Sequence, residues 1–208
     1  MEKLIKIIND KLNEKDKIII GIDGKCCSGK TTLANYLKNN LDCTVFHIDD
    51  YFIPLNLDKS KFEYNFDYFR FKNEILDNLN KKEIEFYKFN CSTQSFEKVK
   101  TNVKNIIIIE GSYSLNKYFF ECYDIKIYLN IYDDIQLSRL KKRNPNLLDK
   151  FVNIWIPQEN NYYNSELSLK NNIDIIDLTK KKLVWAFFYT THAAPIIINK
   201  INKTKIKA

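Results

Sequence analysis

The 208-residue sequence lacks the cysteine patterns of a disulfide framework or a zinc site. Its five cysteines are odd in number, Cys26 and Cys27 are adjacent, and no C-x-x-C pair occurs. This usage predicts a reducing, cytoplasmic location. Internal repeats and low-complexity linkers are also absent, so the length predicts one domain with small additions.

Apolar runs long enough to cross a bilayer are missing as well. Residues 1–15 have the spacing of an amphipathic helix and no apolar core of a signal peptide. The residues that this helix turns inward are Leu4, Ile7, Ile8 and Leu12. The apolar segment 183–198 is shorter than the ~20 residues that cross a bilayer, and it contains His192, which we expect to be incidental. A docking strand or helix, or a segment foreign to the core fold, fits this segment, and we expect no membrane partner.

The net charge of +7 does not follow a pattern typical of nucleic-acid binding. Lysines are scattered among asparagine, isoleucine and acidic residues, and neither an arginine-rich stripe nor a zinc-finger pattern occurs. We therefore expect no nucleic-acid partner. Positive charge of this kind suits an enzyme that handles polyphosphates.

The most informative motif lies between Ile18 and Thr32. Gly24, Gly29, Lys30 and Thr31 have the spacing G-x-x-x-x-G-K-S/T of a phosphate-binding loop (P-loop), with an isoleucine-rich strand before it and a helical pattern after it. Lys30 can reach the β- and γ-phosphates, and the Thr31 hydroxyl can ligate Mg²⁺. Residues expected to contact the nucleotide are Gly24, Lys25, Cys26, Cys27, Ser28, Gly29, Lys30, Thr31 and Thr32. The two cysteines are expected to be inert fillers.

Strand and helix patterns alternate along the rest of the chain. Predicted strands cover 18–22, 43–47, 106–110, 125–131 and 173–176, and a hairpin covers 84–90 and 96–103. Predicted helices begin near Lys30 and cover 67–79, 115–120, 133–143 and 147–163. The alternation after a P-loop predicts an α/β fold of the P-loop NTPase type, with a parallel sheet, helices on both faces and a small hairpin insertion.

Carboxylates follow two of these strands. Asp49 and Asp50 come after the second strand, and Glu110 closes the run Ile106–Ile109. In such a sheet the ligands lie at the carboxyl ends of the strands, so these groups should converge near the γ-phosphate. A positioned carboxylate can take a proton from an attacking hydroxyl, and Glu110 with Thr31 can hold Mg²⁺. A solvated turn or a helix cap is the alternative for the aspartates, but the phosphate loop upstream favours the functional interpretation, and His47 is expected to be a strand residue.

The order and spacing of seven blocks resemble the uridine kinase and phosphoribulokinase group of P-loop small-molecule kinases. The likeness covers about residues 18–176. The blocks are I-D-G-K-C-C-S-G-K-T-T-L-A, F-H-I-D-D-Y-F-I-P, F-D-Y-F-R-F-K-N-E-I-L, I-I-I-I-E-G-S-Y-S-L, Y-D-I-K-I-Y-L-N, L-S-R-L-K-K-R-N and W-I-P-Q-E-N-N-Y-Y. The resemblance implies a kinase domain over 1–180, with a C-terminal extension of unknown role over 181–208.

The resemblance also implies roles for individual residues. Asp49 would be the base toward the acceptor hydroxyl, Glu110 would help hold Mg²⁺, and Arg139 and Arg143 would close over the ATP phosphates from a helical lid. Asp67 would bind ribose hydroxyls, or would merely cap the helix that follows. The remaining substrate residue, Tyr87, would lie near the acceptor base, or would be a packed strand residue.

Three positions depart from the uridine-specific members. Ser92 stands where those members have a histidine, Gln136 stands where their lid block begins with arginine, and Lys88 replaces the aspartate after Tyr87. The phosphoryl-transfer half of the pattern is intact, whereas the half that reads the nucleoside is altered.

The sequence therefore predicts a cytoplasmic kinase, monomeric or homo-oligomeric, that uses ATP or GTP with Mg²⁺ to phosphorylate a small metabolite, most simply a nucleoside. Nicotinamide riboside, pantothenate or another sugar-like alcohol would be alternative acceptors. A nucleotide-dependent switch or ATPase acting on a protein partner is an alternative of another class. Against it, residues 116–119 lack the aspartate of the N-K-x-D guanine motif, and no L-S-G-G-Q signature occurs.

Overall fold

The computed structural model describes residues 1–54, 56–167 and 174–177. The strands in this part of the chain are β1 (Ile18–Gly24), β2 (Cys43–His47), β3 (Glu83–Asn90), β4 (Ser95–Asn102), β5 (Ile106–Glu110), β6 (Ile125–Asn130) and β7 (Asp174–Asp177). The helices are α1 (Glu2–Glu14), α2 (Lys30–Asn40), α3 (Tyr68–Glu74), α4 (Asp133–Arg143), α5 (Leu148–Lys150) and α6 (Ile156–Tyr162). Five strands form one parallel sheet in the order β2-β5-β1-β6-β7, as predicted.

The register of the sheet brings the candidate site residues to one edge. Glu110, the last residue of β5, lies opposite Ile22 of β1 on one side and His47 of β2 on the other. The P-loop begins two residues after Ile22, and Asp49 comes two residues after His47. The two loops therefore flank Glu110 at the carboxyl ends of neighbouring strands, which is where an open α/β sheet binds its ligands.

Each face of the sheet is covered by its own apolar core. Ile106 and Ile108 of β5 pack toward α1 and α2, whereas Ile107 and Ile109 pack toward α3, the β3–β4 hairpin and α6. All four side chains are buried, because successive residues of a strand point to opposite faces. Full burial of an isoleucine contributes about 2 kcal/mol, so β5 is firmly anchored in the sheet.

The predicted hairpin and lid helices are present. The strands β3 and β4 form a separate antiparallel pair beside the main sheet. After α4, a short 3₁₀ turn leads into α5 and α6, which are joined by the π-helical turn Phe151–Trp155 and followed by a second one, Tyr163–Leu167. We call residues 145–167, which follow the lid block in α4, the lid segment.

A buried aspartate joins the lid segment to the P-loop. The Asp23 carboxylate accepts hydrogen bonds from the Gly24, Tyr113 and Leu115 amides and from the Tyr162 hydroxyl, at 2.6–3.1 Å. These donors come from the P-loop, the loop after β5 and α6. The side chain is 1% exposed, so an unsatisfied carboxylate there would be costly.

Two predicted helices differ in the structure. The segment 115–120 forms turns rather than a helix, and only Phe120–Cys122 is a 3₁₀ turn. The Asn116 side chain donates to the Tyr113 carbonyl and accepts from the Tyr118 amide, and such local bonds compete with a helix. The helix predicted over 67–79 ends at Glu74, where the Asn78 side chain donates to the Asn73 and Glu74 carbonyls and lets the chain turn.

Smaller differences concern single residues. Ile7 is 38% exposed rather than turned inward, whereas Leu4 and Ile8 are buried. The strand predicted over 173–176 lies at Asp174–Asp177. The C-terminal extension 181–208, with His192, lies outside the described residues, so its boundary stays a prediction. Among the residues that the structure describes, no helix has the length and apolar character needed to span a membrane.

Candidate active site

A cleft of about 1400 Å³ opens at the carboxyl ends of the strands. It brings together the P-loop, the segment after β2, the end of β5, α4 and the lid segment. Of the residues predicted from the sequence, those that line it are Cys26, Cys27, Gly29, Lys30, Thr31, Thr32, Asp49, Glu110, Arg139 and Arg143.

The P-loop backbone depends on its two glycines. Gly24 has a φ of 147°, and a Cβ there would overlap the Leu129 carbonyl oxygen of the neighbouring strand. Gly29 has a φ of 104° at the start of α2, in open space. Left-handed φ values are easily reached only by glycine. The loop therefore turns tightly, and its amides and the α2 N-terminus face the cleft.

Lys30 closes the loop on itself. Its Nζ donates to the Gly24 carbonyl at 2.8 Å, to the Lys25 carbonyl at 3.1 Å and to the Ser112 hydroxyl at 3.3 Å. Ser112 follows Glu110 by two residues and was not predicted from the sequence. The lysine charge thus lies beside both the loop amides and the end of β5.

Oxygen ligands suited to a divalent cation meet at the start of α2. The Thr31 Oγ1 donates to Glu110 Oε1 at 3.2 Å, and His47 Nδ1 lies 2.6 Å from the same oxygen. This hydrogen bond to Glu110 raises the pKa of His47, so His47 acts as a partner of the carboxylate as well as a strand residue. A hydroxyl and a carboxylate fit Mg²⁺, which takes few protein ligands and keeps several waters.

No cluster of three or more His, Cys, Asp or Glu residues suited to a metal was found among the described residues. The predicted pair of Thr31 and Glu110 includes only one such residue, so it is compatible with that finding.

Asp49 lies on the cleft wall, where protein atoms surround its carboxylate although solvent still reaches it. Burial raises the pKa of Asp49, and the charges of Glu110 and Asp50 raise it further, whereas Lys30 lowers it. The neighbouring Asp50 instead pairs with Lys88 of the hairpin at 3.1 Å. The two adjacent aspartates therefore have different surroundings, and only Asp49 lines the cleft.

Side chains of α4 hold the P-loop from outside. Arg139 donates to the Cys27 carbonyl at 2.7 Å, and Gln136 donates to the Cys26 carbonyl at 3.1 Å. Arg143 lies on the cleft wall, exposed to solvent. Gln136 is fully buried, so the position that departs from the uridine-specific pattern contacts the loop rather than solvent.

Glu159 of α6 is a site residue that the sequence reasoning missed. Its two carboxylate oxygens lie 3.1 and 2.9 Å from the Cys26 amide nitrogen, and Ser112 Oγ donates to it at 2.8 Å. The side chain is 7% exposed. Burial raises the pKa of the Cys26 thiol, and the Glu159 charge raises it further, which agrees with an inert role for this cysteine.

Two predicted substrate residues are not brought into the cleft. Asp67 caps α3 by accepting a hydrogen bond from the Arg70 amide at 2.9 Å, which is the alternative that its sequence position allowed. Tyr87 lies on the outer side of the hairpin and is 43% exposed. The wall beyond Asp49 is formed instead by Phe52, Ile53, Asn65, Phe89, Cys91 and Gln94.

The chain is similar to known kinases. The family model described as "AAA domain" matches residues 20–161. A uridine kinase of Staphylococcus haemolyticus is 29% identical over 167 residues, which are 69% of this chain and 80% of that protein. One from Staphylococcus aureus (strain JH9) is 32% identical over 161 residues, 68% of this chain and 77% of that protein.

Among solved structures, one titled as a possible uridine kinase from Bacillus stearothermophilus matches with a TM-score of 0.59 and 23% identity. The match covers 76% of this chain and 87% of that one. At this level of identity the likeness supports the α/β P-loop fold.

Alanine substitutions at the two loop glycines should separate the effect of steric overlap on stability from the effect of an unfavourable φ. We expect Gly24→Ala to lower the free energy of unfolding by about 3 kcal/mol or more, because it adds overlap with the Leu129 carbonyl to an unfavourable φ. Gly29→Ala should cost only about 1–2 kcal/mol, because its Cβ meets no atom. Urea unfolding followed by circular dichroism measures both, and equal losses would contradict this description of the loop.

Proposed function

The chain belongs to the uridine-kinase-like family of P-loop small-molecule kinases, and from this we propose that it transfers the γ-phosphoryl group of ATP to a hydroxyl of a nucleoside. The observation that carries the proposal is the meeting of Lys30, the Thr31–Glu110 pair and Asp49 in one cleft. A phosphate cradle, oxygen ligands for a cation and a carboxylate beside them are the parts that phosphoryl transfer requires.

In this proposal each residue of the cleft has a physical task. The loop amides and Lys30 bind the β- and γ-phosphates, and Asp49 orients the acceptor hydroxyl and accepts its proton. Arg139 and Arg143 stabilise the negative charge that spreads over the oxygens of the transferring group. Thr31 and Glu110 would hold Mg²⁺, which when bound neutralises phosphate charge.

A nucleoside acceptor is supported by the wall beyond Asp49. Phe52 is partly exposed and offers an aromatic ring on which a base can stack, and Asn65 offers a side-chain amide. Asn65 donates to Gln158 of α6 at 2.7 Å, so the acceptor wall and the lid segment are in contact. The family resemblance and the cysteine usage also lead us to propose ATP as donor and a cytoplasmic location.

The acceptor is tested with a panel of nucleosides, nicotinamide riboside and pantothenate, using purified protein, Mg²⁺ and an assay of ADP release. We expect ADP formation to rise at least about tenfold over the acceptor-free rate with a pyrimidine nucleoside. Fast ADP release without any acceptor would instead support an ATPase. Selective turnover of pantothenate would leave the kinase chemistry in place and remove the nucleoside proposal.

Asp49→Asn should lower kcat by at least about 10², because an amide cannot accept the proton of the attacking hydroxyl. The matched control is Asp50→Asn, which neutralises the adjacent aspartate and breaks its ion pair with Lys88 but leaves the Asp49 carboxylate in the cleft. Steady-state kinetics on the best acceptor compares the two. If both variants lose activity equally, or if Asp49→Asn retains it, the assignment of the base is wrong.

The pH profile should carry the signature of Asp49. Since the cleft wall partly desolvates this carboxylate and raises its pKa, protonation should reduce kcat/KM at a higher pH than the ordinary pKa of an aspartate would give. Activity is thus present above the pKa of Asp49 and is lost as the pH falls through it. The residual activity of Asp49→Asn should lack this acid limb, and an identical limb in the variant would assign it to another group.

A further inference from the structure

The Glu159 carboxylate occupies a donor of the P-loop. Both of its oxygens lie within 3.1 Å of the Cys26 amide nitrogen, and one accepts from Ser112 as well. The amides of such a loop form a concave site for anions. Part of this anion site is therefore filled by a side chain of the lid segment.

The carboxylate lies on the γ-phosphate side of the loop. Ser112 Oγ accepts from Lys30 Nζ at 3.3 Å and donates to Glu159 at 2.8 Å, so one hydroxyl separates the lysine from the carboxylate. The P-loop lysine is the residue that reaches the β- and γ-phosphates. Ser112 also follows Glu110 along the chain, at the strand end where Asp49 and the proposed acceptor site lie.

A triphosphate and this carboxylate cannot both be accommodated without a penalty. Two negative groups would compete for the same amide and repel one another at close range, and such like-charge contacts are unfavourable. The hydrogen bond from Tyr162 to Asp23 would keep α6 in place when the Glu159 side chain rotates away from the loop. Displacement does not require α6 to unfold.

We propose that Glu159 determines how the loop discriminates between nucleoside triphosphate and diphosphate, by competing with the γ-phosphate for the Cys26 amide. The proposal rests on the proposed function, because it requires ATP to bind in this cleft. The γ-phosphate displaces the carboxylate when the donor binds. After transfer the diphosphate no longer claims that amide, and the carboxylate returns to it.

The test is Glu159→Gln, which removes the charge but keeps an oxygen that can accept from the Cys26 amide. Calorimetric titration with Mg²⁺ and a nonhydrolysable ATP analogue, and separately with ADP, gives the two dissociation constants. We expect the variant to bind the ATP analogue about tenfold more tightly, while its affinity for ADP stays within about twofold of the wild type.

Tyr162→Phe is the matched control on the same helix, because it removes the contact of α6 with Asp23 and leaves the charge of Glu159 in place. It should not change the ratio of the two dissociation constants. Unchanged or weaker binding of the analogue by Glu159→Gln would overturn the proposal, as would an equal gain for ADP or an equal shift of the ratio in Tyr162→Phe. A wild-type protein that binds no nucleotide would overturn the proposed function itself.

Discussion

Backbone amides that face a single point need a negatively charged partner, and the site is arranged around this need. Tight turning at Gly24 and Gly29 creates the array, and the α2 N-terminus adds its dipole to it. Charges of both signs lie around these amides. Lys30 bonds back to the loop, Glu110 contacts Thr31 just after it, and Glu159 contacts the Cys26 amide near its beginning. The sheet register sets this spacing, because the strand ends are neighbours before any ligand arrives.

Features that depend on local sequence were predicted well. The P-loop, the strand that ends at Glu110, the hairpin and the helix Asp133–Arg143 each follow from spacing, apolar alternation or turn chemistry within a short stretch. The sequence also predicted that carboxylates would gather at one edge of the sheet, because parallel strands share their direction. These are the parts of the site on which a resemblance to known kinases also depends.

Features that depend on contacts between distant segments were not predictable. The segment 115–120 has a helical composition, yet it forms turns, and its Leu115 amide donates to Asp23, more than ninety residues earlier. Glu159 contacts the loop from α6, where it is one of four consecutive polar residues, and nothing in that run distinguishes it from its neighbours. The side on which Tyr87 lies depends on how the hairpin packs against the sheet, which alternation within the strand does not reveal.

The Asp23 carboxylate makes the P-loop, the loop after β5 and α6 depend on one another. Its donors belong to segments that lie far apart along the chain, so none of them can be exchanged for a homologous piece without regard to the others. A chimaera that receives the lid segment of a relative would need a hydroxyl at the position of Tyr162 and a loop after β5 that offers the same two amides. In recombination of related genes, crossovers between these segments should therefore be tolerated only when the incoming segment brings the matching donors to Asp23.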